Sequence, residues 1–355
     1  MFNNNNNKKV FIIFSLFLFL LNKNSINIMY FFSQNFGDNL NYFLLKDMID
    51  KNIKFYNTYE ISLGRTSHNI DMNTIKNLNK LAKIDLFFIG SNLESISNWT
   101  YVFHNQSNKC KTIISKLYFK ILDYFFPLII FGTGFISEHN FKKEFYYRNI
   151  KIIAVRGKKS LERLKSNGIK ASKNVILADP GILAPMLINL TNINKIKFTK
   201  EYELCVIPHF IDWNNKLIKE NIHINNSIII SINKQPIEFL NSISKCRNVL
   251  SSGLHALIIA DSLGIPNMRM VLSDKVIGGD YKFIDYYSAY ELKLPPKIDL
   301  RKTNFTYNDL KNLTQNHFIS GDIIRNKQCE LLSNFPFKLS RKYKIIKNKI
   351  CRNIY

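Results

Sequence analysis

The strongest constraint on the fold is a repeated alternation. A short, unbroken apolar run gives way to a polar turn with glycine, and then to a segment with helical spacing. "INIMYFF" (Ile26–Phe32) leads into "SQNFGDNLN" and on to "YFLLKDMIDK", where Leu44, Leu45, Met48 and Ile49 share one side. "IDLFFIG" (Ile84–Gly90), "FPLIIFGTGF" (Phe126–Phe135), "NIKIIAVRGKKSLERLKSNGI" (Asn149–Ile169) and "NVILADPGILAPML" (Asn174–Leu187) repeat the theme. Runs without polar alternation belong to strands buried on both faces, and intervening helices supply the cover. An α/β architecture with parallel sheets is therefore predicted. Near Lys195 the charged stretch "NKIKFTKEYE" reads as a linker. The alternation then restarts with "LCVIPHFIDW" (Leu204–Trp213), "SIIISIN" (Ser227–Asn233), "RNVLSSGLHALIIADSLGIP" and "NMRMVLSD". This divides the chain into an Asn-rich extension (1–25), two α/β domains (26–195 and 196–330) and a basic tail (331–355).

A content of 46% hydrophobic and 21% charged residues in 355 is globular and supports a sizeable core. The formal net charge of +24 is spread over a chain rich in Lys, Asn and Ile, as on a solvated basic surface. It is denser over 142–173 and over "KLSRKYKIIKNKICR" (Lys338–Arg352), a tail suited to anionic lipid headgroups. No zinc-ligand spacing, RNP-like motif or helix-turn-helix accompanies the charge, so a nucleic-acid partner is not expected. The five cysteines are scattered and never spaced C-x-x-C, which argues against disulfides and against a zinc site. Sequons at Asn98 and Asn189 carry little weight in so Asn-rich a chain. Lys8 and Lys9 precede "VFIIFSLFLFLL" (Val10–Leu21), a run shorter than a spanning helix wants. Weak membrane attachment through 10–21 and the basic tail is the expectation. The cytoplasmic face is favoured, with a lumenal location through an N-terminal anchor as the alternative.

Ligands of parallel α/β sheets bind beyond the carboxyl ends of strands. That rule selects Asn35, Gly37 and Asp38; Gly132 and Gly134; Arg156; His209; and Ser251, Ser252, Gly253, Leu254 and His255. His255 follows a Ser-Ser-Gly turn in the first turn of a predicted helix. Unpaired N–H groups and the helix dipole there suit a phosphate or carboxylate and favour neutral imidazole. A packing or capping histidine is the competing reading. Arg156 at a strand end suits bidentate capture of an anion, against a surface arginine beside Lys158 and Lys159. Asp38 is as well suited to capping a helix as to chemistry. The chain has no P-loop, no complete G-x-G-x-x-G, no H-E-x-x-H, no G-x-S-x-G and no metal-spaced cluster.

In order along the chain, "NFGDNLN", "LFFIGSNL", "FGTGF", "AVRGKKSLERLKSNGI", "LADPGILAPML", "VIPHFIDW", "SSGLHALIIADSLGIP" and "YKFIDYYSAY" resemble the polysaccharide pyruvyl transferase family. The resemblance implies two Rossmann-like domains in a glycosyltransferase-B-like (GT-B-like) arrangement with the site in an interdomain cleft. It implies phosphoenolpyruvate as co-substrate, no cofactor or metal, and a terminal sugar of a glycan or lipid-linked oligosaccharide as acceptor, with a pyruvate ketal as product. By the same resemblance His255 is the catalytic histidine and Arg156 binds the donor. Many members carry arginine where this chain has Gly253, so a second cation must come from elsewhere; Lys282, Arg247 and Arg269 are the candidates. The alternatives are a nucleotide-sugar glycosyltransferase, which wants an acidic pair where only Asp261 stands, and a non-catalytic membrane-associated scaffold.

Overall fold

The computed structural model describes residues 25–30, 36–50, 52–57, 86–89, 93, 127–138, 149–188, 199–293, 297–316 and 319–352. Asn35, the segment 10–21, Cys110, Asn98 and Asn189 lie outside the described residues. The first half forms a parallel sheet from β1 (Ser25–Tyr30), β2 (Asn52–Asn57), β3 (Leu86–Phe87), β4 (Leu128–Phe131), β5 (Ile150–Val155) and β6 (Ile176–Leu177), ordered β2-β1-β3-β4-β5-β6. Helix α1 (Phe36–Met48) follows β1, α2 (Lys158–Ser166) follows β5, and a 3-10 helix (Pro180–Leu187) follows β6. The second half forms a five-stranded parallel sheet ordered β11-β10-β9-β7-β8. Its strands are β7 (Tyr202–Ile207), β8 (Ser227–Ile229), β9 (Cys246–Ser251), β10 (Asn267–Val271) and β11 (Lys297–Asp299). Helices α3 (Pro236–Ser244), α4 (Leu254–Ser262), α5 (Tyr281–Ser288) and α6 (Tyr307–Asn316) accompany it. The predicted architecture, two parallel α/β units, is what forms.

Helix α4 explains how the halves join. Its sequence "LHALIIADS" has no polar face, and Leu254 together with Ala256 through Asp261 is buried. A helix apolar all round has to be enclosed, and α4 packs against β9, α1 and the 3-10 helix. Phe36 of α1 stacks on Phe239 of α3 with ring centroids 4.3 Å apart, and its N–H donates to the Ile232 carbonyl at 2.9 Å. One hydrophobic cluster therefore runs through both halves.

The basic tail is an ordered part of this body. Helices α7 (Gly321–Ser333) and α8 (Arg341–Arg352) return to the first half. The Gln328 amide donates to the Ile182 carbonyl at 2.7 Å, and the Ser340 N–H to the Met48 carbonyl at 2.7 Å. Tyr343, Ile346 and Ile350, three and four residues apart, form the buried stripe of α8. Each full burial of such a side chain is worth about 1.5–3 kcal/mol, which is why so basic a segment folds down. The described residues contain no helix long and apolar enough to cross a membrane.

The cysteine reading is corrected. Cys205 pairs with Cys246 and Cys329 with Cys351, with Cα atoms 5.7 and 5.4 Å apart. The partners are 41 and 22 residues apart in sequence. Only the placement of β7 beside β9, and of α7 against α8, brings them together, so no local spacing announces them.

Candidate functional site

The turn from β9 into α4 is held from inside. Ser251 donates its hydroxyl to the Ile207 carbonyl at 2.7 Å and accepts the Gly253 N–H at 3.0 Å. The Ser252 hydroxyl accepts the His209 N–H at 2.8 Å. Both serines are spent on the turn, tying β9 to the end of β7. Gly253 caps α4 in extended conformation (φ −105°, ψ 133°) without a side-chain cap bond. His255 follows in the first helical turn, half-buried. Its ring lies directly on Gly37: a Cβ at that position would stand 1.8 Å from the imidazole Nδ1. Gly37 belongs to the first turn of α1, so the helix begins earlier than its apolar spacing predicts, and the polar run after β1 is partly helical. The starts of α1 and α4, one from each half, thus meet at the imidazole.

The electrostatics around His255 are lopsided. Its pKa is pushed down to about 3, first by burial, then by the charges of Lys282 and Arg156 and by His209. His209 is pushed down to about 4 by burial and then by Lys282. Both imidazoles are neutral at physiological pH. The His209 Nδ1 accepts the Ile211 N–H at 3.4 Å, and its ring lies 4.4 Å from that of Phe210. Lys282, 8% exposed at the start of α5, is the cation both histidines feel. Of the other candidates, Arg247 pairs with Glu203 at 3.3 Å, and Arg269 pairs with Asp280 while lying over the Phe283 ring.

Arg156 is neither a surface arginine nor an open anion trap. It is 1% exposed, and its guanidinium lies on Gly134, where a Cβ would stand 2.4 Å from Cζ. Its Nε donates to Asp285 at 2.9 Å, and its terminal nitrogen donates to the Phe135 carbonyl. Asp285, fully buried on α5, also accepts the Ser160 N–H at 2.9 Å and hydroxyl at 2.6 Å. A carboxylate from the second half therefore sits at the start of α2 in the first half.

The structure brings Gly37, His209, Ser251, Ser252, Gly253, Leu254, Lys282 and His255 together. Arg156 and Gly134 lie one layer away, with the Arg156 charge still reaching His255. Gly132 turns toward β6: at φ +85° a Cβ would strike the Pro180 ring at 2.1 Å, a conformation only glycine takes readily. Asp38 lies in the first turn of α1. Two carboxylates escaped the sequence reading. Asp285 sits inside "YKFIDYYSAY" with nothing local to mark it. Asp179 follows β6, where the strand-end rule does select it. Its burial pushes its pKa up to about 6, and one oxygen accepts the Gly181 N–H at 2.8 Å.

Comparison with known proteins agrees with the motif reading. The family model described as polysaccharide pyruvyl transferase matches residues 3–273. An uncharacterized protein of Acanthamoeba polyphaga mimivirus is 32% identical over 221 residues, spanning 58% of this chain and 70% of that protein. Among solved structures, a UDP-N-acetylglucosamine 2-epimerase is 13% identical at a TM-score of 0.44, over 88% of this chain and 96% of its own. The Methanocaldococcus jannaschii UDP-GlcNAc 2-epimerase in complex with UDP-GlcNAc and UDP is 11% identical at 0.42, over 84% and 96%. Scores this low carry no argument about this chain, whose fold rests on its own two parallel sheets.

Proposed function

The chain belongs to the polysaccharide pyruvyl transferase family, and from that premise we propose that it moves the enolpyruvyl group of phosphoenolpyruvate onto a terminal sugar, closing a pyruvate ketal. One observation carries the reading. A half-buried imidazole stands where two helix starts meet, with Lys282, Arg156 and His209 around it, and burial first, then the Lys282 and Arg156 charges, keep it neutral. Such a site wants an anion. Phosphoenolpyruvate brings a phosphate and a carboxylate, which suit Lys282 and the N–H groups at the start of α4. Lys282 takes the part of the arginine missing at Gly253. Arg156 acts through its charge from behind Gly134, with Asp285 as its own partner.

The imidazole's protonation then follows the donor. Donor charge offsets the surrounding cations and lifts the pKa of His255. The imidazolium gives its proton to C3 of the donor as a sugar hydroxyl adds at C2, and the regenerated imidazole receives that hydroxyl's proton. A second hydroxyl attacks C2 as the C2–O bond to phosphate breaks, its proton leaves with the departing phosphate, and the ring closes. The glycosyltransferase alternative loses ground here. Asp261, the acid on α4 that such an enzyme wants for a sugar or ribose, is buried and bonded to Asn267 at 2.7 Å and Tyr286 at 3.0 Å.

Incubation with labelled phosphoenolpyruvate and a panel of glycosides tests the reading. Phosphate release with acid-labile pyruvate on the sugar is expected, and both vanish in His255→Ala. Sugar transfer from a nucleotide sugar instead would overturn it. Membrane attachment belongs to the same reading. Arg341, Lys344, Ile345, Lys349 and Arg352 lie on the exposed side of α8, an arrangement that suits anionic lipid. Flotation with anionic vesicles but not with neutral ones is the expected result.

A further inference from the structure

Just outside β7 the chain exposes three large apolar side chains close together, as it does nowhere else among the described residues. Phe210, Ile211 and Trp213 are 44%, 37% and 38% exposed within four residues. Among the described residues no other phenylalanine or tryptophan is this exposed; the rest of the described aromatic side chains, Tyr307 apart, are at least partly covered. The turn bearing them is firmly held. Asp212 is 3% exposed and accepts the Ser273 hydroxyl at 2.6 Å, and its N–H donates to the His209 carbonyl at 2.8 Å. The Asn215 amide donates to the Leu272 carbonyl at 3.0 Å. The patch also continues into the candidate site. The Phe210 ring lies 4.4 Å from that of His209, and the His209 Cδ2 lies 3.9 Å from where a Cβ on Gly253 would stand. Rigid, exposed aromatic rings beside a polar site offer a flat apolar face at little entropic cost, and the indole adds an N–H donor at its edge. A pyranose has the matching surface, a flat patch of C–H groups rimmed by hydroxyls. Three side chains are too few for a stable protein partner.

We propose that Phe210 and Trp213 form the acceptor subsite, receiving the apolar face of a pyranose ring so that its hydroxyls point toward His209 and His255. The inference rests on the pyruvyl-transfer reading for its acceptor, but sugar binding is measurable without turnover. The chain contains two tryptophans, Trp99 and Trp213. In a full-length Trp99→Phe variant the emission therefore reports on Trp213. Methyl glycosides of glucose, galactose and mannose, and disaccharides ending in each, are titrated with and without phosphoenolpyruvate. A saturable change in emission is expected for at least one of them, its midpoint raised on the order of tenfold by Phe210→Ala. In the transfer assay Phe210→Ala and Trp213→Ala raise the acceptor KM by a similar factor and leave the KM for phosphoenolpyruvate unchanged. Transfer with an unaltered acceptor KM in both variants overturns the subsite alone. Emission that titrates with sugar while no pyruvyl transfer occurs upholds the subsite and sinks the catalytic reading. Emission flat across the whole panel overturns the subsite whatever the transfer assay shows.

Discussion

Two turns of this protein follow the same local plan, a strand end, a glycine and a helix, and end up opposite in character. "VRGKKSLERL" leaves β5 and "SSGLHALII" leaves β9. Each passes through an extended glycine, Gly157 or Gly253, into a nine-residue helix with no side-chain cap bond. Each presents one functional side chain, and each lays it on a distant glycine: Arg156 on Gly134, His255 on Gly37. The start of α2, however, is filled by the protein's own Asp285, which binds Arg156 and Ser160. At the start of α4 the neighbours are Lys282 and a neutral histidine. The first turn answers its own electrostatic demand from another domain. The second gathers positive charge around a half-buried base. The difference teaches that a helix start after a strand specifies only a preference for anions, and that the long-range packing decides whether the chain or a ligand supplies one.

Separating the two turns experimentally begins with their central residues. His255→Gln should cost about 10²- to 10⁴-fold in kcat, the range for a positioned acid–base group, with thermal stability unchanged or raised in mild acid. Asp285→Ala should do the reverse. It strands the buried Arg156 guanidinium, a loss of about 3–5 kcal/mol for a broken buried pair. Urea unfolding read beside pyruvyl transfer distinguishes them. If Asp285→Ala proved stable and merely inactive, the two turns would be alike and Arg156 would belong with the ligand.

How much of this was legible beforehand differs between the two turns for the same reason. Continuous apolar strands fix the parallel sheets because burial on both faces leaves no room for alternation, so β1, β5, β7 and β9 were readable. So were the strand ends, which brought Gly37, His209 and His255 forward. Asp285 was not readable: it is 129 residues from Arg156, and "YKFIDYYSAY" gives an amphipathic helix the same look whether its aspartate faces water or a guanidinium. The disulfides escaped for the same cause. The tail reads in sequence as a basic, lipid-facing segment outside the two domains because its buried stripe, Tyr343, Ile346 and Ile350, is sparse among lysines. Lys282 can be named from sequence only as one of three cations; choosing it requires knowing that its charge reaches both His209 and His255.

Lys282→Met removes the charge both histidines feel, and the KM for phosphoenolpyruvate should rise about 10- to 100-fold, the worth of a charge-assisted hydrogen bond. The same change should alter acid stability, with a definite sign. A histidine held below its ordinary 6.5 refuses a proton in the fold that the unfolded chain accepts. Stability is therefore present above about pH 6.5 and lost as pH falls, down to about 4 for His209 and about 3 for His255. The steepest slope is about 1.4 kcal/mol per pH unit for each. Lys282→Met raises both pKa values and should make that acid limb shallower, as followed by thermal melts from pH 7 to 4. An unchanged limb would mean that Lys282 does not act on the imidazoles.

The equivalent glycines of the two turns should respond to substitution in opposite ways. A Cβ on Gly157 would stand 1.7 Å from the Asp285 carbonyl oxygen, with backbone that cannot yield, whereas a Cβ on Gly253 meets nothing nearer than 3.8 Å. Gly157→Ala should thus unfold or loosen the first turn, and Gly253→Ala should cost less than about 1 kcal/mol, the scale of a lost glycine cap. Gly253→Arg goes further. Its backbone is ordinary extended chain that any residue adopts, and it places a cation where the family resemblance leads one to expect an arginine. If a donor anion rests at the start of α4, the added guanidinium should lower the KM for phosphoenolpyruvate a few-fold, about 1 kcal/mol of added attraction. The addition also brings a like charge toward Lys282, so without a donor the variant should be no more stable than the parent. A gain seen only with phosphoenolpyruvate present separates a turn that waits for a ligand from one that has supplied its own. A KM unmoved in a folded Gly253→Arg variant would move the anion away from α4 and leave His255 as a packing residue.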